Sequence, residues 1–424
     1  MKQDIIIIGN GIAGNSAAEA IRKFNTDVGI TIISEESNPL YSPCAFYKYL
    51  AGVMKKEELF LKTFEDYSEH GIRVILGNKV SRVDAQIKEV VIEDKSIQFD
   101  KLVLATGSKP ILPPIKGVDK KGVFAPKTID NAQFMFNYPA KKVVVVGSGP
   151  IGIEMAIAFR KKGLEVSIIE LFNRVVPRLF DDYASSILRE VMERQGIDIL
   201  TENKVSEIIG DESVKGVVTD SNELPCDMVI MAAGVKPNTE LAENIGLEIG
   251  TLGGIKTDDY MATNVEDIYA CGDCIEAKDA ITSENTLSLL WPNAKRQGSI
   301  AGSNCAGQQK RFIGSTNATS LEVFGTYALS VGKSAASFKS QNDYDIVERT
   351  NGSKYYRLII SGNRLVGMQL INSCEYAGLL FSKMLRKDDL TELKKTALDD
   401  ELLSIRPWHY WVHYFMGDKN KRNS

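Results

Sequence analysis

The strongest constraint in this chain is a unit that occurs twice. Ile5–Ile8 runs into Gly9-Asn10-Gly11-Ile12-Ala13-Gly14, a helix-forming stretch follows through Ala17, Ala18 and Ile21, and a second apolar strand, Ile30–Ile33, ends at Ser34-Glu35. Much later Val143–Val146 leads into Gly147-Ser148-Gly149-Pro150-Ile151-Gly152, then a helical run from Ile153 to Lys162 and the strand Val166–Ile169, ending at Glu170. Both are strand–turn–helix–strand units with G-x-G-x-x-G at the turn. In that spacing the first glycine permits the tight turn and the second lets a pyrophosphate reach the backbone. The third lets helix and strand pack closely, while the helix N-terminus offers free N–H groups to the anion. An acid at the end of the second strand accepts a ribose hydroxyl, which predicts that role for Glu35 and Glu170.

The repetition extends beyond the turns. The stretch from Gly71 to Ser81 (GIRVILGNKVS) is echoed from Gly196 to Ser206 (GIDILTENKVS). Each precedes a charged, hairpin-like region and an apolar strand closing on glycine: LVLATG, which contains Thr106 and Gly107, and VIMAAG, which ends at Gly234. Lys109-Pro110 and Lys236-Pro237 follow in turn. A duplicated dinucleotide-binding domain accounts for this order. The predicted fold is α/β, with two Rossmann-like domains, one inserted in the other, and a C-terminal α+β domain. The expected boundaries are 1–111 with 240–310, 112–239, and 311–424.

With 424 residues, the chain has room for such an arrangement. Its 51 basic and 55 acidic side chains give a net charge of -4, which provides no general attraction to nucleic acid or to an anionic membrane. Four isoleucines near the N-terminus are too few for a signal core or a membrane span. The six cysteines are dispersed rather than framed for disulfides, so a cytoplasmic location is expected.

On these motifs the chain resembles the pyridine nucleotide–disulfide oxidoreductase superfamily of two-dinucleotide flavoproteins. The resemblance includes LATGSKP (Leu104–Pro110), AAGVKPN (Ala232–Asn238) and the run from Thr263 to Asp273 (TNVEDIYACGD). It implies that the first turn holds FAD and the second a nicotinamide nucleotide. It also implies that Gly272-Asp273 returns the chain to the flavin, with Asp273 on the ribityl group, and that Thr106-Gly107 lies beside the FAD. Glu170 favours NADH, because a carboxylate repels the 2′-phosphate of NADPH; Arg174 nearby tempers that preference. The residues after about 311 resemble the superfamily's interface domain, with Leu321–Gly325 (LEVFG) similar to the NADH oxidase and coenzyme A disulfide reductase branch. A hairpin around Ser361–Arg364 and a helix from about Tyr376 to Arg386 are expected there. So is a homodimer or a place in a redox complex.

The segment from Pro39 to Gly52 faces the flavin in this superfamily and supports two readings. Cys44-Ala45-Phe46 resembles the single redox cysteine of coenzyme A disulfide reductases and NADH oxidases, with the Lys48 ammonium lowering the thiol's pKa. Tyr41 followed by Lys48 and Leu50-Ala51-Gly52 resembles ferredoxin, rubredoxin and nitrite reductase flavoproteins, where the lysine lies near flavin N5 and pairs with a glutamate. Glu154 holds that glutamate's position, and Trp291 in LWPNA resembles a flavin-side tryptophan of ferredoxin reductases. The first reading gives a small acceptor: disulfide, polysulfide, peroxide or oxygen. The second gives a protein carrier. A third class, a non-catalytic flavin sensor, also remains open.

Other candidates carry less. Cys271-x-x-Cys274 encloses the FAD segment and has no second pair to complete a metal site, so no metal is predicted. His409 in RPWHYW is expected to pack at an interface, and the polar Gly417–Ser424 tail to be disordered.

Overall fold

The computed structural model describes residues 3–391. These divide into two compact units: residues 3–175 with 192–316, and residues 176–191 with 317–391. The aromatic Arg406–Trp411 cluster, with His409, and the Gly417–Ser424 tail lie outside the described residues.

The first unit contains two five-stranded parallel sheets of the same design. One runs Ile268–Ala270, Lys101–Leu104, Asp4–Ile8, Gly29–Ser34, Ile72–Leu76 across the sheet, and the other Val123–Phe124, Met228–Met231, Lys142–Val146, Glu165–Ile169, Ile197–Leu200. Continuous β-branched runs suit strands buried on both faces, and Ile5–Ile8 and Val143–Val145 are buried accordingly. In each sheet the strand before the glycine turn lies between its own successor and a strand that returns from far along the chain. The direction of winding reverses there, so a crevice opens at the strands' C-terminal ends. Both glycine turns stand at such a switch point.

The duplicated hairpin regions form three-stranded antiparallel sheets, Val80–Asp84, Glu89–Ile92, Lys95–Gln98 and Val205–Ile209, Gly216–Thr219, Glu223–Pro225. Even the bulge is repeated, at Val80/Arg82 and at Val205/Glu207. The motif tails do something the sequence did not announce: they pair with each other. Ser108–Pro110 and Val235–Pro237 form an antiparallel ribbon, Ser108 opposite Pro237 and Pro110 opposite Val235.

The second unit is a five-stranded antiparallel sheet ordered Ala318–Val323, Thr326–Gly332, Arg364–Ile371, Lys354–Ser361, Asp345–Asn351, with the helix Ala377–Arg386. The expected hairpin turns at Gly362-Asn363, both residues at positive φ (+54° and +58°), as a tight primed turn requires. Residues 176–191, which the sequence reading placed inside the second nucleotide domain, belong to this unit. Buried Asp181 anchors them. Its carboxylate accepts from Gln369 Nε2 at 2.9 Å and lies 3.1 Å from Arg357 Nε, while its N–H donates to Gln369 Oε1 at 2.9 Å. Among the described residues no helix is long and apolar enough to cross a membrane.

Candidate active site

The two glycine turns repeat at atomic level. Gly9 (φ +117°) and Gly147 (φ +104°) occupy left-handed backbone, and a Cβ on either would strike the carbonyl oxygen of Ala105 at 2.1 Å or of Ala232 at 2.5 Å. A Cβ on Gly14 would lie 2.0 Å from the Gly9 oxygen, and one on Gly152 2.0 Å from the Gly147 oxygen. At Gly11 and Gly149 a Cβ meets nothing within 4 Å. Those middle positions are open, and each caps a helix (Ile12–Phe24 and Pro150–Lys161) with no side-chain cap on its N–H groups. Open backbone beside uncapped helix donors fits a pyrophosphate at both turns. Ile12 and Ala13 continue the first turn, half-buried and buried. Ile151 stays 43% exposed at the second.

The acids that follow differ. Glu35 is exposed, with Lys79 4.0 Å away. Glu170 is buried and accepts from Ser148 through Oε2 and from the Phe172 N–H through Oε1. Sequence reasoning named Glu170 and missed Ser148.

Around the first switch point, Thr106 Oγ1 donates to the Asn238 carbonyl at 2.8 Å and Asn238 Nδ2 returns a bond to the Thr106 carbonyl at 2.9 Å. Gly107 and Gly234 take positive φ (+69° and +113°) at matching places in the two repeats. Gly272, at φ +85°, donates its N–H to Gln297 Oε1 at 2.9 Å. Gln297 lies on the helix Trp291–Cys305, which opens with half-buried Trp291. Asp273 Oδ2 accepts from Ser108 Oγ at 2.9 Å, and Ser108 Oγ accepts from Lys127 Nζ at 3.0 Å. Asp273 thus has a cation one hydroxyl away. Ser108 lies within LATGSKP but was not singled out there, and Lys127 lies in no motif, so spacing did not flag either.

Cys44 lies in the one-turn helix Pro43–Ala45 that leads into the helix Phe46–Leu50. It is exposed to solvent, though enough protein surrounds the thiol to desolvate it in part. Partial burial first, then the carboxylate of Glu154 and to a smaller degree that of Asp273, push its thiol up to about 11 against an opposing hydrogen bond with Ser42. Cys44 thus lies within electrostatic reach of Glu154 and Asp273, and the helix Phe46–Leu50 that follows it packs on the helix Pro150–Lys161 that carries Glu154. Glu154, half-buried, is itself pushed up to about 7 by burial.

Two expectations are corrected here. Lys48 is exposed and forms no ion pair with Glu154 among the described residues; its ammonium lies 5.8 Å from the Tyr47 ring. A hydrated lysine head keeps to water when its stem can lie along the surface. For the same reason Lys48 does not lower the Cys44 thiol, whose neighbours are carboxylates.

Glu154 gives a pH prediction. Its folded-state pKa exceeds the unfolded one, so as pH rises from about 4.5 to about 7 the unfolded chain releases a proton that the folded chain keeps, and stability falls. Glu154→Gln should therefore match the parent in acid and gain stability through that window, by roughly 1–3 kcal/mol above pH 7. Thermal midpoints across the pH range will check this; an equal gain in acid would sink it.

Cys271 and Cys274 are fully buried, with thiols held protonated by burial, and Cys274 Sγ donates to the Cys271 carbonyl at 3.3 Å. They are core residues. Among the described residues no group of side chains is arranged to hold a metal.

Two Rossmann-type glycine turns, each at a switch point of its parallel sheet and each open at its middle glycine, define a double-dinucleotide fold. The chain belongs to the pyridine nucleotide-disulphide oxidoreductase family, which matches residues 3–298. It is similar to an NADH oxidase of Methanocaldococcus jannaschii, with 39% identity over 337 residues, 76% of this chain and 75% of that protein. It is also similar to an NAD(P)H nitrite reductase of Bacillus subtilis, with 32% identity over 402 residues; these cover 94% of this chain but 49% of that enzyme, so the chain spans about half its length. Among solved structures, an NAD-dependent persulfide reductase from A. fulgidus superposes with a TM-score of 0.88 at 28% identity, over 93% of this chain and 79% of that one. This chain is an NAD(P)H-dependent flavin oxidoreductase.

Proposed function

We propose that the chain takes hydride from NADH and delivers the electrons to a small acceptor in the cleft at Cys44, the acceptor being a disulfide, polysulfide, peroxide or oxygen. The observation that supports this most is an accessible Cys44 on a segment whose helix, Phe46–Leu50, packs on the helix bearing Glu154, within electrostatic reach of Glu154 and Asp273. FAD, when bound, supplies a two-electron centre between nicotinamide and acceptor. In this reading the Gly9–Gly14 turn, Glu35, Thr106, Gly107, Gly272, Asp273 and Trp291 hold FAD. The Gly147–Gly152 turn, Glu170 and Gly234 hold NADH. Rigid placement of both nucleotides supplies most of the rate.

For a disulfide acceptor, the Cys44 thiolate attacks one sulfur, forming a mixed disulfide and releasing a thiolate that takes up a proton. Two electrons originating in NADH then cleave the mixed disulfide, releasing the second thiol and restoring Cys44. Glu154, titrating near neutrality, is suited to hold or give a proton in that cleft.

A second reading, direct transfer to a ferredoxin- or rubredoxin-like carrier or within a larger complex, is favoured by one observation. With a thiol pushed up to about 11 by burial and by carboxylates, Cys44 is almost wholly protonated at neutral pH. A homodimer and a reducing, cytoplasmic setting belong to either reading.

Anaerobic titration of the FAD-loaded protein with NADH tests the proposal. We expect bleaching of the flavin band by stoichiometric NADH, with NADPH less effective, and a thiolate-to-flavin charge-transfer band that grows only as pH approaches 11. No bleaching by NADH would refute the proposal; bleaching without that band at any pH would favour the carrier reading.

A further inference from the structure

We infer that Ser148 makes the second nucleotide turn select NADH over NADPH, by pinning Glu170. The inference rests on the reading of Gly147–Gly152 as the NADH turn. The two copies of the unit treat their acids in opposite ways. In the first, Glu35 is exposed, and the residue between the first two glycines, Asn10, is engaged elsewhere. Its Nδ2 donates to the Asn38 carbonyl at 3.1 Å, and its Oδ1 accepts from Asn15 Nδ2 and the Tyr67 hydroxyl, both at 2.9 Å. In the second, the corresponding Ser148 is 0% exposed and turns entirely to the acid. Its N–H and its hydroxyl both donate to Glu170 Oε2, at 2.8 and 2.5 Å, while the Phe172 N–H donates to Oε1 at 3.0 Å.

A carboxylate offers about four acceptor positions. Three are filled by the chain itself, which leaves one, on Oε1. A single remaining acceptor suits one ribose hydroxyl. A 2′-phosphate brings negative charge and few protons at neutral pH, since its second pKa is about 6. It can be tolerated only if the carboxylate swings aside. Glu170 is 5% exposed, and turning it would strip a buried serine hydroxyl and two backbone N–H groups of their acceptor. The discrimination therefore lies in the stiffness of the acid as well as in its charge, and Ser148 supplies two of its three restraints. Ser148 is a positioning residue: it acts through Glu170.

The test is calorimetric binding of NAD+ and NADP+ to the FAD-loaded wild type, Ser148→Ala, Glu170→Ala and the double variant, with Ser148→Gly as a second probe; both serine substitutions remove the hydroxyl donor and keep the backbone N–H. Ser148→Ala should weaken NAD+ binding about tenfold and narrow the preference over NADP+. In turnover it should raise the KM for NADH with a much smaller change in kcat. In the Glu170→Ala background the serine substitutions should change neither affinity, because nothing remains for Ser148 to hold. Serine variants that match wild type, or that lose affinity equally without Glu170, overturn the inference. A wild type that binds neither nucleotide overturns the NADH reading along with it, whereas one that binds NAD+ with unaffected variants overturns the inference alone.

Discussion

Gly149→Val should reduce NADH-driven flavin reduction by at least about a hundredfold, a loss near 3 kcal/mol in binding, and leave the thermal midpoint almost unchanged. Gly152→Ala, a smaller substitution three residues later, should do the reverse in order of cause: it should destabilise the fold first. The contrast follows from what each new atom meets. At Gly149 the backbone is ordinary and a Cβ has nothing within 4 Å, so the side chain fits the protein and fills the space a pyrophosphate needs. At Gly152 the Cβ would sit 2.0 Å from the Gly147 carbonyl oxygen, so the helix must move off its strand. Overpacking of that kind costs roughly 1–3 kcal/mol. Gly11 and Gly14 form the matching pair for FAD. Thermal melts combined with NAD+ binding separate the two effects, and undiminished NAD+ binding by Gly149→Val would remove the second cradle from the site.

Cys44→Ser is the other substitution with a large expected effect. Reduction of a disulfide or polysulfide should fall by about a hundredfold or more, while NADH still bleaches the flavin, because the hydride step does not involve the thiol. The parent protein's disulfide rate should rise about tenfold per pH unit from neutrality towards 11, following the thiolate fraction. Glu154→Gln should move that rise to lower pH by removing a negative charge near the sulfur. Turnover of the serine variant equal to wild type would leave direct transfer to a carrier as the route.

Much of this was legible in the residues. Unbroken runs such as Ile5–Ile8 and Val143–Val146 can only be doubly buried strands, and glycine at Gly9 and Gly147 is required by positive φ. The echo NKVS–NKVS carried a shared hairpin, down to its bulge. Contacts that depend on side-chain direction or on distant partners were not legible. Spacing places Lys48 on a short helix near the cleft but does not say which way a flexible four-carbon stem runs, and it runs to solvent. Ser148 reads as a spacer between glycines until the strand pairing brings Glu170 beside it. Residues 176–191 read as a continuation of the nucleotide unit, yet they join the C-terminal sheet through buried Asp181, the Leu179 carbonyl and the Tyr183 ring, none of which periodicity marks.

The ribbon of Ser108–Pro110 against Val235–Pro237 has a consequence for the order in which the chain assembles. The sheet that begins at Asp4–Ile8 takes its last strand from Ile268–Ala270, beyond the whole inserted unit. During synthesis the inner sheet has all its strands before the outer one does. Once the inner unit folds, the ribbon clasps its inbound and outbound segments together. The outer sheet then closes across a short effective loop instead of the full insertion, with a correspondingly smaller entropic barrier. This topology favours assembly from the inside outward, with the outer nucleotide cradle completed after the inner one.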